Sequence, residues 1–338
     1  MNNKKYCVVL VEEESPYNVM INTMFADLIR LENCFLVEEN SVFKNKKYEL
    51  LKSRKARKVF GTIMDPILEK QYKLGTRLDE LTVDYKEIIV LFLNSSFVHT
   101  KYPKEILMKW KQKYNVKFVL FYIDILSAYV SKHSNYLRNA HVFDLIYSVD
   151  QKDCLENKFI FWRAPYSKIF DLNLENKIVD LYFCGADKGR VKELKAIANG
   201  CKEHNISYRM EVVGDQNASQ EFLDMEDIEV KNNENGYWDY RVLLQNTVHS
   251  KCVLEVCQKN QSASTLRLYE AVLYNLKFLS NNPHIKENPY YNPEFMQYYS
   301  KVENIDWNWF LENTNVEYNY CGEFSPLILL NDILCRLG

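Results

Sequence analysis

The sequence predicts an α/β protein made of two units, each with a parallel β-sheet whose strands are connected by helices. Apolar runs rich in β-branched residues alternate with helical patterns along both halves of the chain, as they do in parallel sheets. A polar, proline-containing segment at residues 163–177 interrupts this alternation, and strand patterns resume after it. A length of 338 residues suits two domains of about 150 residues each.

The first half opens with the apolar run YCVVLV at residues 6–11, which predicts a strand. Further strands are predicted at residues 35–37, 88–93, 117–123 and 145–149. Helices are predicted at residues 17–31, 103–114 and 126–138. The run IIVLFL at residues 88–93 is apolar throughout, which is typical of a buried strand.

The second half repeats the pattern. Strands are predicted at residues 179–184, 208–213, 228–230, 252–256 and 276–279. Helices are predicted at residues 191–204, 237–248, 307–313 and 326–337. We therefore expect a first domain at residues 1–165, a second at 176–325, and a terminal helix at 326–338 that packs back on the first domain.

The stretch at residues 251–282 reads as strand, polar loop, helix and strand. Three hydroxyl residues, Ser262, Ser264 and Thr265, lie where this helix begins. Free N–H groups and the helix dipole favour an anion there, often a phosphate. Ordinary capping is the alternative interpretation, and it needs only one of the three hydroxyls.

Composition excludes several classes of protein. A net charge of -2 does not favour nucleic acid as a partner, and no apolar run approaches the roughly 20 residues of a membrane span. Nine scattered cysteines without a CxxC pair indicate a reducing compartment, and we expect the cytoplasm. The six histidines are also scattered, so a metal site is not predicted.

Two basic segments stand out from this balance. The segment from Lys44 to Lys58 holds eight basic residues and one acid, and residues 103–117 add five lysines around Trp110 and Tyr114. Basic surfaces that carry aromatic residues suit anionic membranes, so peripheral association with the inner face of the cell membrane is one hypothesis. Ordinary solvated helix faces are the other.

A glycine-containing turn follows the predicted strand at residues 179–184. Glycine at Gly185 would let a phosphate approach the backbone, and Lys188 and Arg190 would offer positive charge. The turn is not GxGxxG, so the dinucleotide-binding fingerprint of a nicotinamide oxidoreductase is missing. Gly214 ends another strand and could admit a base or ribose, or serve as a plain turn residue.

Three segments together resemble the donor domain of GT-B glycosyltransferases, the closest likeness being to bacterial enzymes of capsule, exopolysaccharide and lipopolysaccharide assembly. They are DLYFCGADKGR at residues 180–190, YWDYRVLLQNTVHSKCVLEV at 237–256 and QKNQSASTLRLYEAVLYNLKFLSNN at 258–282. The resemblance implies two Rossmann-like α/β domains facing a cleft. It further implies a nucleotide-diphosphate sugar as donor substrate, a glycan or lipid-linked acceptor, and no metal or other cofactor.

The resemblance also assigns residues. Glu270 matches the glutamate that binds the nucleotide ribose in many such enzymes. In many retaining members a second glutamate lies eight positions earlier, where this chain has Ser262, and Glu255 lies too far back to replace it. The motif therefore supports neither a retaining nor an inverting mechanism.

Two neighbours of Glu270 have competing interpretations. Arg267, three positions earlier on the same helix, would either form an ion pair with Glu270 or approach a phosphate, and the ion pair is favoured. Tyr240 would stack on a base or belong to the core.

An inverting transfer needs a general base, and the candidates follow strands of the first half. They are Glu13 among the three glutamates at 12–14, His99, and Asp124 at the end of a buried strand. A non-catalytic nucleotide-sugar-binding partner of a biosynthetic complex would share the donor residues and need no base. The sequence therefore leaves transferase and binding protein as alternatives, with an oxidoreductase less favoured.

Overall fold

The computed structural model describes residues 6–13, 18–39, 69–93, 102–124, 126, 137–232, 238–257 and 264–338. The chain divides into two compact units. Unit 1 comprises Met1–Ser167 together with Ser325–Gly338, and unit 2 comprises Lys168–Phe324. Each unit has a six-stranded sheet, and every pair of neighbouring strands in both sheets is parallel. These are two Rossmann-like α/β domains, as the sequence predicts.

The sheet of unit 1 has the order β2-β1-β3-β4-β5-β6. Its strands are β1 Tyr6–Glu13, β2 Cys34–Glu39, β3 Glu87–Leu93, β4 Val116–Tyr122, β5 Leu145–Ser148 and β6 Ile160–Phe161. The chain moves from β1 to β2 on one side and then to β3 on the other side of β1. The strand order therefore reverses between β1 and β3, which is the topological switch point of this sheet.

The α-helices among the described residues of unit 1 are α1 Asn18–Met24, α2 Ala26–Ile29, α3 Lys73–Leu81, α4 Lys104–Lys113 and α5 Gln151–Asn157. The prediction of one continuous helix at residues 17–31 is wrong, because the helix is interrupted at Phe25. Ser167 explains the break: its N–H donates to the carbonyl of Met24, and its hydroxyl accepts from the N–H of Asp27. Sequence patterns did not predict α3 or α5, and the predicted helix at 126–138 lies mostly outside the described residues.

The sheet of unit 2 has the order β12-β11-β10-β7-β8-β9. Its strands are β7 Val179–Ala186, β8 Tyr208–Val213, β9 Ile228–Lys231, β10 Ser250–Glu255, β11 Lys277–Ser280 and β12 Met296–Tyr298. The order reverses between β7 and β10, so the carboxyl ends of these two central strands form the switch point of unit 2.

The helices of unit 2 are α6 Val191–Glu203, α7 Gln216–Glu221, α8 Tyr240–Val248 and α9 Leu266–Leu273, and α10 Pro326–Leu337 belongs to unit 1. A helix at residues 307–313 was predicted, but only a 3-10 turn at Asn308–Phe310 forms. Trp309 and Phe310 are adjacent and both buried, and the Lys277 ammonium bonds the carbonyls of Trp309 and Glu312. A longer helix would compete for those carbonyls.

The second basic segment does not present its aromatic residues to a surface. Trp110 is fully buried in the core of unit 1, and its indole N–H donates to Glu69. Lys111 pairs with Asp144 at 2.7 Å. The prediction of an aromatic-bearing basic face at residues 103–117 is therefore wrong, and the segment from Lys44 to Lys58 lies outside the described residues. Within the described part of the chain, no helix is long and apolar enough to cross a membrane.

Candidate functional site in unit 2

The carboxyl ends of β7 and β10 bring the predicted donor-site residues to one edge of the unit 2 sheet. The strands pair in register, with Cys252 opposite Leu181. The chain leaves β7 toward α6 after Ala186, and it leaves β10 toward α9 after Glu255. Ligands of open α/β sheets bind at such a reversal of strand order, so the topology favours a ligand site here.

The turn between β7 and α6 is tight and contains two residues in the left-handed region of backbone conformation. Lys188 and Gly189 both have positive φ angles, of 38° and 83°. The side chain of Asp187 accepts the N–H of Gly189, and its carbonyl accepts the N–H of Arg190. Lys188 is exposed, and no hydrogen bond from its ammonium group is found among the described residues.

Helix α6 begins without a side-chain cap, because Arg190 occupies its N-cap position and makes no capping hydrogen bond there. The other helices of unit 2 are capped by side chains, from Asp215 in α7, Asp239 in α8 and Thr265 in α9. The first-turn N–H groups of α6 therefore lie at the switch point without the capping oxygen that α7, α8 and α9 have. Such an end favours an anion.

Arg190 is directed into the protein. Its guanidinium donates to the carbonyls of Val256 and Asp187, and it lies 5.9 Å from the ring centroid of Phe183. Burial lowers the pKa of this side chain, and nearby acids and thiols act in the opposite direction. Arg190 thus connects the β7–α6 turn to the end of β10. These hydrogen bonds support a structural role for Arg190 more directly than a contact with phosphate.

Helix α9 begins at the predicted position. Thr265 is its N-cap, and its hydroxyl accepts from the N–H of Arg267 at 3.3 Å. The N–H of Thr265 donates to the carboxylate of Glu255, which also accepts from the hydroxyl of Ser280 at 2.6 Å. This helix end therefore already has an internal carboxylate beside it, and Ser264 is partly exposed next to the cap.

The centre of the candidate site is a buried polar cluster of Arg267, Glu270 and Tyr240. The Arg267 guanidinium lies 2.6 Å from Glu270, and the Tyr240 hydroxyl donates to the same carboxylate oxygen at 2.5 Å. The ion pair expected from the i,i+3 spacing is confirmed. Both side chains are buried, since Glu270 is 0% and Arg267 8% exposed. Tyr240 is likewise buried, and its hydroxyl has a polar role that the sequence did not predict.

Two further side chains complete this cluster. The Arg267 guanidinium donates to the Cys184 sulfur at 2.7 Å and to the Thr247 hydroxyl at 3.3 Å. Burial raises the pKa of the Cys184 thiol to about 11, although Arg267 acts to lower it. Arg267 thereby joins β7, α8 and α9 at one point. The sequence analysis predicted neither partner, although each lies within two residues of the end of an element in the resembling segments.

Close packing requires a glycine at position 214. A methyl group at this position would come within 2.6 Å of the Ala218 side chain and 3.2 Å of the Asp187 carboxylate. At Gly185 the same group would lie 3.3 Å from the Phe183 ring. Close contact between the β8–α7 turn and the β7–α6 turn thus explains Gly214.

The candidate bases belong to unit 1, and the structure describes the side chain of one of them, Asp124. Asp124 follows β4 and is exposed, so the burial that favoured it as a base does not operate. Glu13 is the last residue of β1, its side chain being outside the described part of the structure. His99 and Ser262 both lie outside the described residues.

The fold is similar to that of known sugar-nucleotide proteins. An α-glucosyltransferase solved with UDP and a 13-mer DNA containing an A:G mismatch aligns with a TM-score of 0.50 and 10% identity over 82% of this chain and 81% of that one. A protein from Listeria monocytogenes described as a UDP-N-acetylglucosamine 2-epimerase aligns with a TM-score of 0.50 and 9% identity, over 98% and 96% of the two chains. No protein-family model and no curated protein sequence matches the chain.

Proposed function

We propose that the protein is a glycosyltransferase that moves a sugar from a nucleotide-diphosphate sugar to a glycan or lipid-linked acceptor in cell-surface polysaccharide assembly. The observation that carries the donor assignment is the uncapped N-terminus of α6 at the switch point of unit 2, beside exposed Lys188. The N–H groups and the ammonium can balance a diphosphate without a metal ion. The UDP complex of the structurally similar α-glucosyltransferase supports the same class of ligand.

Glu270 is the proposed ribose contact. Its carboxylate already accepts a hydrogen bond from one hydroxyl, that of Tyr240, and a ribose hydroxyl offers the same donor chemistry. Because Glu270 is shielded from solvent, a ribose would have to replace the Tyr240 hydroxyl there. Arg267 would hold the carboxylate in place during that exchange, since the two side chains are in direct contact.

Titration calorimetry with nucleoside diphosphates tests the donor site. Lys188→Gln should weaken binding by roughly tenfold, since a charged hydrogen bond contributes about 1.5–3 kcal/mol and tenfold corresponds to about 1.4 kcal/mol. Lys202→Gln, in the last turn of the same helix, is the matched control and should leave affinity unchanged. Equal affinities for the two variants, or no nucleoside diphosphate bound by the wild type, would contradict the donor assignment.

Metal independence belongs to the same proposal. A chelator should leave nucleoside-diphosphate affinity unchanged, because helix N–H groups and Lys188 supply the positive charge. Loss of binding with the chelator and recovery with magnesium or manganese would show that a cation completes the site.

Donor turnover separates the transferase from a non-catalytic binding partner of a biosynthetic complex. A transferase should hydrolyse its nucleotide sugar slowly in the absence of acceptor and release nucleoside diphosphate faster once an acceptor glycan is added. Tight binding without any release under both conditions would favour the binding partner.

A further inference from the structure

Strand β2 forms one edge of the unit 1 sheet and is the longest edge strand in the two sheets that the structure describes. It has six residues, whereas the other edge strands β6, β9 and β12 have two, four and three. Native proteins usually keep edge strands short or cover them, because an uncovered edge pairs readily with another chain. The length of β2 therefore requires an explanation that the donor site of unit 2 does not provide.

The pairing of β2 with β1 decides which of its backbone groups point away from the sheet. The N–H of Val8 donates to the carbonyl of Asn33 at 2.9 Å, and Val8 pairs with Cys34 in the parallel register. Backbone groups of successive residues in a parallel strand point alternately to its two sides. The odd-numbered residues of β2 therefore bond β1, and the N–H and C=O of Leu36 point outward.

Two hydrogen bonds on either side of Leu36 agree with this assignment. The N–H of Cys34 does not bond β1 but donates to the carbonyl of Leu31 at 3.0 Å. The carbonyl of Glu38 accepts from the Lys73 ammonium at 2.7 Å, on the side away from β1. At each end of the edge, one outward group thus has an internal partner, and Leu36 lies between them.

A cleft of about 500 Å³ adjoins this edge, between β2 and helix α3. Residues of both elements line it, namely Leu36, Val37 and Glu38 from β2 and Lys73, Thr76, Arg77 and Glu80 from α3. A further strand would lie about 4.8 Å from β2 in the plane of the sheet. The cleft provides space at that place, so the helix does not close the edge.

We propose that the outer edge of β2 is the interface of a homodimer, in which β2 pairs antiparallel with β2 of a second copy about a two-fold axis at Leu36. In this register the N–H of each Leu36 donates to the C=O of the other. The carbonyl of Glu38 would face the N–H of Cys34 in the other copy, and these two groups already have internal partners in Lys73 and Leu31. The edge is therefore complementary to itself, as an isologous interface must be.

The charges on α3 suit the same axis. Lys73 bonds a carbonyl at the end of β2, and Arg77 lies 5.2 Å from the ring centroid of Phe35 near its beginning, so α3 runs opposite to the strand. Lys73 and Glu80 consequently lie on opposite sides of Leu36. A two-fold rotation brings the Lys73 end of each α3 toward the Glu80 end of the other, which places unlike charges on facing positions.

An extended peptide from another protein is the other occupant that such a cleft could take, since peptides add to sheet edges in the same way. The charged side chains that line the cleft are two bases, Lys73 and Arg77, and two acids, Glu38 and Glu80. This balance selects neither an acidic nor a basic peptide. Its order along α3 is instead complementary to a reversed copy of itself, which favours the second copy.

The homodimer goes beyond the proposed function and does not depend on it. The interface belongs to unit 1, whereas the nucleoside-diphosphate site belongs to unit 2. Failure of nucleotide binding would leave the dimer standing, and a monomeric protein would leave the donor assignment standing.

Analytical ultracentrifugation of the full chain with Leu36→Pro tests the interface. Proline removes the outward N–H and is tolerated on an edge strand, because that N–H has no role within the sheet. We expect the wild type to sediment with twice the mass of one 40.2 kDa chain, and the variant to have a dimer Kd raised by about tenfold or more, since both central hydrogen bonds are lost.

Phe161→Pro is the matched control on the opposite edge of the same sheet. The N–H of Trp162 donates to the carbonyl of Ser148 on β5, so the neighbouring Phe161 points its own N–H outward, as Leu36 does. This variant should sediment as the wild type does. Circular dichroism and thermal unfolding of both proline variants show whether each remains folded.

Disulfide cross-linking tests the register without depending on the proline variant. Opposed residues of a hydrogen-bonded antiparallel pair have Cα atoms about 5.5 Å apart, which is within the range of a disulfide. Leu36→Cys should therefore form a covalent dimer with oxidised glutathione, and peptide mass spectrometry should find the link between the two substituted positions. Phe161→Cys should give no such dimer.

Three results would overturn the proposal. They are a wild type that stays monomeric throughout the micromolar range, a folded Leu36→Pro variant that dimerises as well as the wild type, and a Leu36→Cys variant that links no more than Phe161→Cys. A monomeric wild type that binds an extended peptide at β2 would assign the cleft to a peptide partner instead.

Discussion

The ion pair between Arg267 and Glu270 shows how burial changes the meaning of a common residue spacing. Arg77 and Glu80 have the same i,i+3 spacing on α3, at 2.8 Å, but their side chains are 38% and 58% exposed. Such exposed pairs contribute about 0.2–0.5 kcal/mol. The Arg267–Glu270 side chains are 10% and 0% exposed, and three further groups bond them. If either Arg267 or Glu270 is replaced by a neutral residue, the other is left as a buried charge without its ion-pair partner.

Glu270→Gln should therefore destabilise unit 2 as well as weaken nucleotide binding. We expect about 2–3 kcal/mol, somewhat below the 3–5 kcal/mol typical of a broken buried pair, because glutamine still accepts a hydrogen bond. Denaturant unfolding measures this loss. Glu80→Gln is the control at the same spacing and should cost under about 0.5 kcal/mol. Equal losses in the two variants would show that the buried pair contributes no more than an exposed one.

Glu12 predicts an unusual dependence of stability on pH. The pKa of its carboxyl is raised to about 8 in the folded protein, so the folded state keeps a proton that the unfolded chain has already lost. Stability should therefore fall as pH rises from the ordinary glutamate pKa toward about 8, by up to about 1.4 kcal/mol per pH unit, and then level off.

Glu12→Gln removes this dependence, since glutamine cannot ionise. The variant should match the wild type in acid and exceed its stability above pH of about 8, by about 2–4 kcal/mol if Glu12 is the main contributor. Thermal unfolding across this pH range is the measurement, with Glu226→Gln as an exposed control that should follow the wild type. If the stabilities of the wild type and of Glu12→Gln change with pH in parallel, Glu12 is ionised in the folded protein.

At the scale of elements, sequence patterns located the strands better than the helices. The central strands β3, β4, β7 and β10 are buried apolar runs, and their observed bounds differ from the predicted ones by one or two residues. Helical patterns failed where distant residues decide the backbone. Ser167 divides the helix predicted at 17–31, and Lys277 takes carbonyls of the segment predicted as a helix at 307–313.

In the candidate site, too, local features could be predicted from the sequence and contacts between distant residues could not. Thr265 was predicted as a helix cap and is one, because capping depends on a few consecutive residues. The contacts of Tyr240 with Glu270 and of Cys184 with Arg267 join residues 30 and 83 positions apart. Such contacts depend on the register of three elements around the switch point, and no local pattern specifies that register.

The break between α1 and α2 depends on the hydrogen bonds of Ser167, and a substitution there tests this. Ser167 is fully buried, and its hydroxyl donates to the carbonyl of Met24 and accepts from the N–H of Asp27. Ser167→Ala should cost about 1–3 kcal/mol, because the Asp27 N–H loses a partner in a buried place. Denaturant unfolding measures the cost, and Ser219→Ala, which removes a partly exposed hydroxyl from α7, should cost much less. A neutral Ser167→Ala would mean that the break does not depend on this hydroxyl.

At the scale of the whole molecule, both sheets reverse strand order once, and each reversal has an unusual polar feature. Unit 2 has the uncapped end of α6 there, and unit 1 has the buried carboxyl of Glu12, for which the described residues offer no hydrogen-bond partner. The uncapped helix end favours an anion, and burial raises the pKa of the Glu12 carboxyl to about 8.

Charge distribution leads to the last prediction, which concerns membrane association. The net charge of -2 gives the whole protein little attraction to an anionic surface, so any binding must come from a local basic segment. Lys109, Lys111 and Lys113 are poor candidates, because they form ion pairs with Glu69, Asp144 and Asp79. The segment from Lys44 to Lys58 has eight basic residues and one acid, so it is the remaining candidate.

Replacement of Lys52, Arg54, Arg57 and Lys58 by glutamine should abolish most sedimentation with anionic liposomes at low salt, since each charge near such a surface contributes about 1 kcal/mol. Replacement of Lys109, Lys111 and Lys113 by glutamine is the matched control and should leave most of the binding intact. Added salt should release the wild type, because the attraction is screened within a Debye length. If the variant that lacks charges at residues 52–58 sediments as the wild type does, this segment makes no electrostatic contact with the membrane.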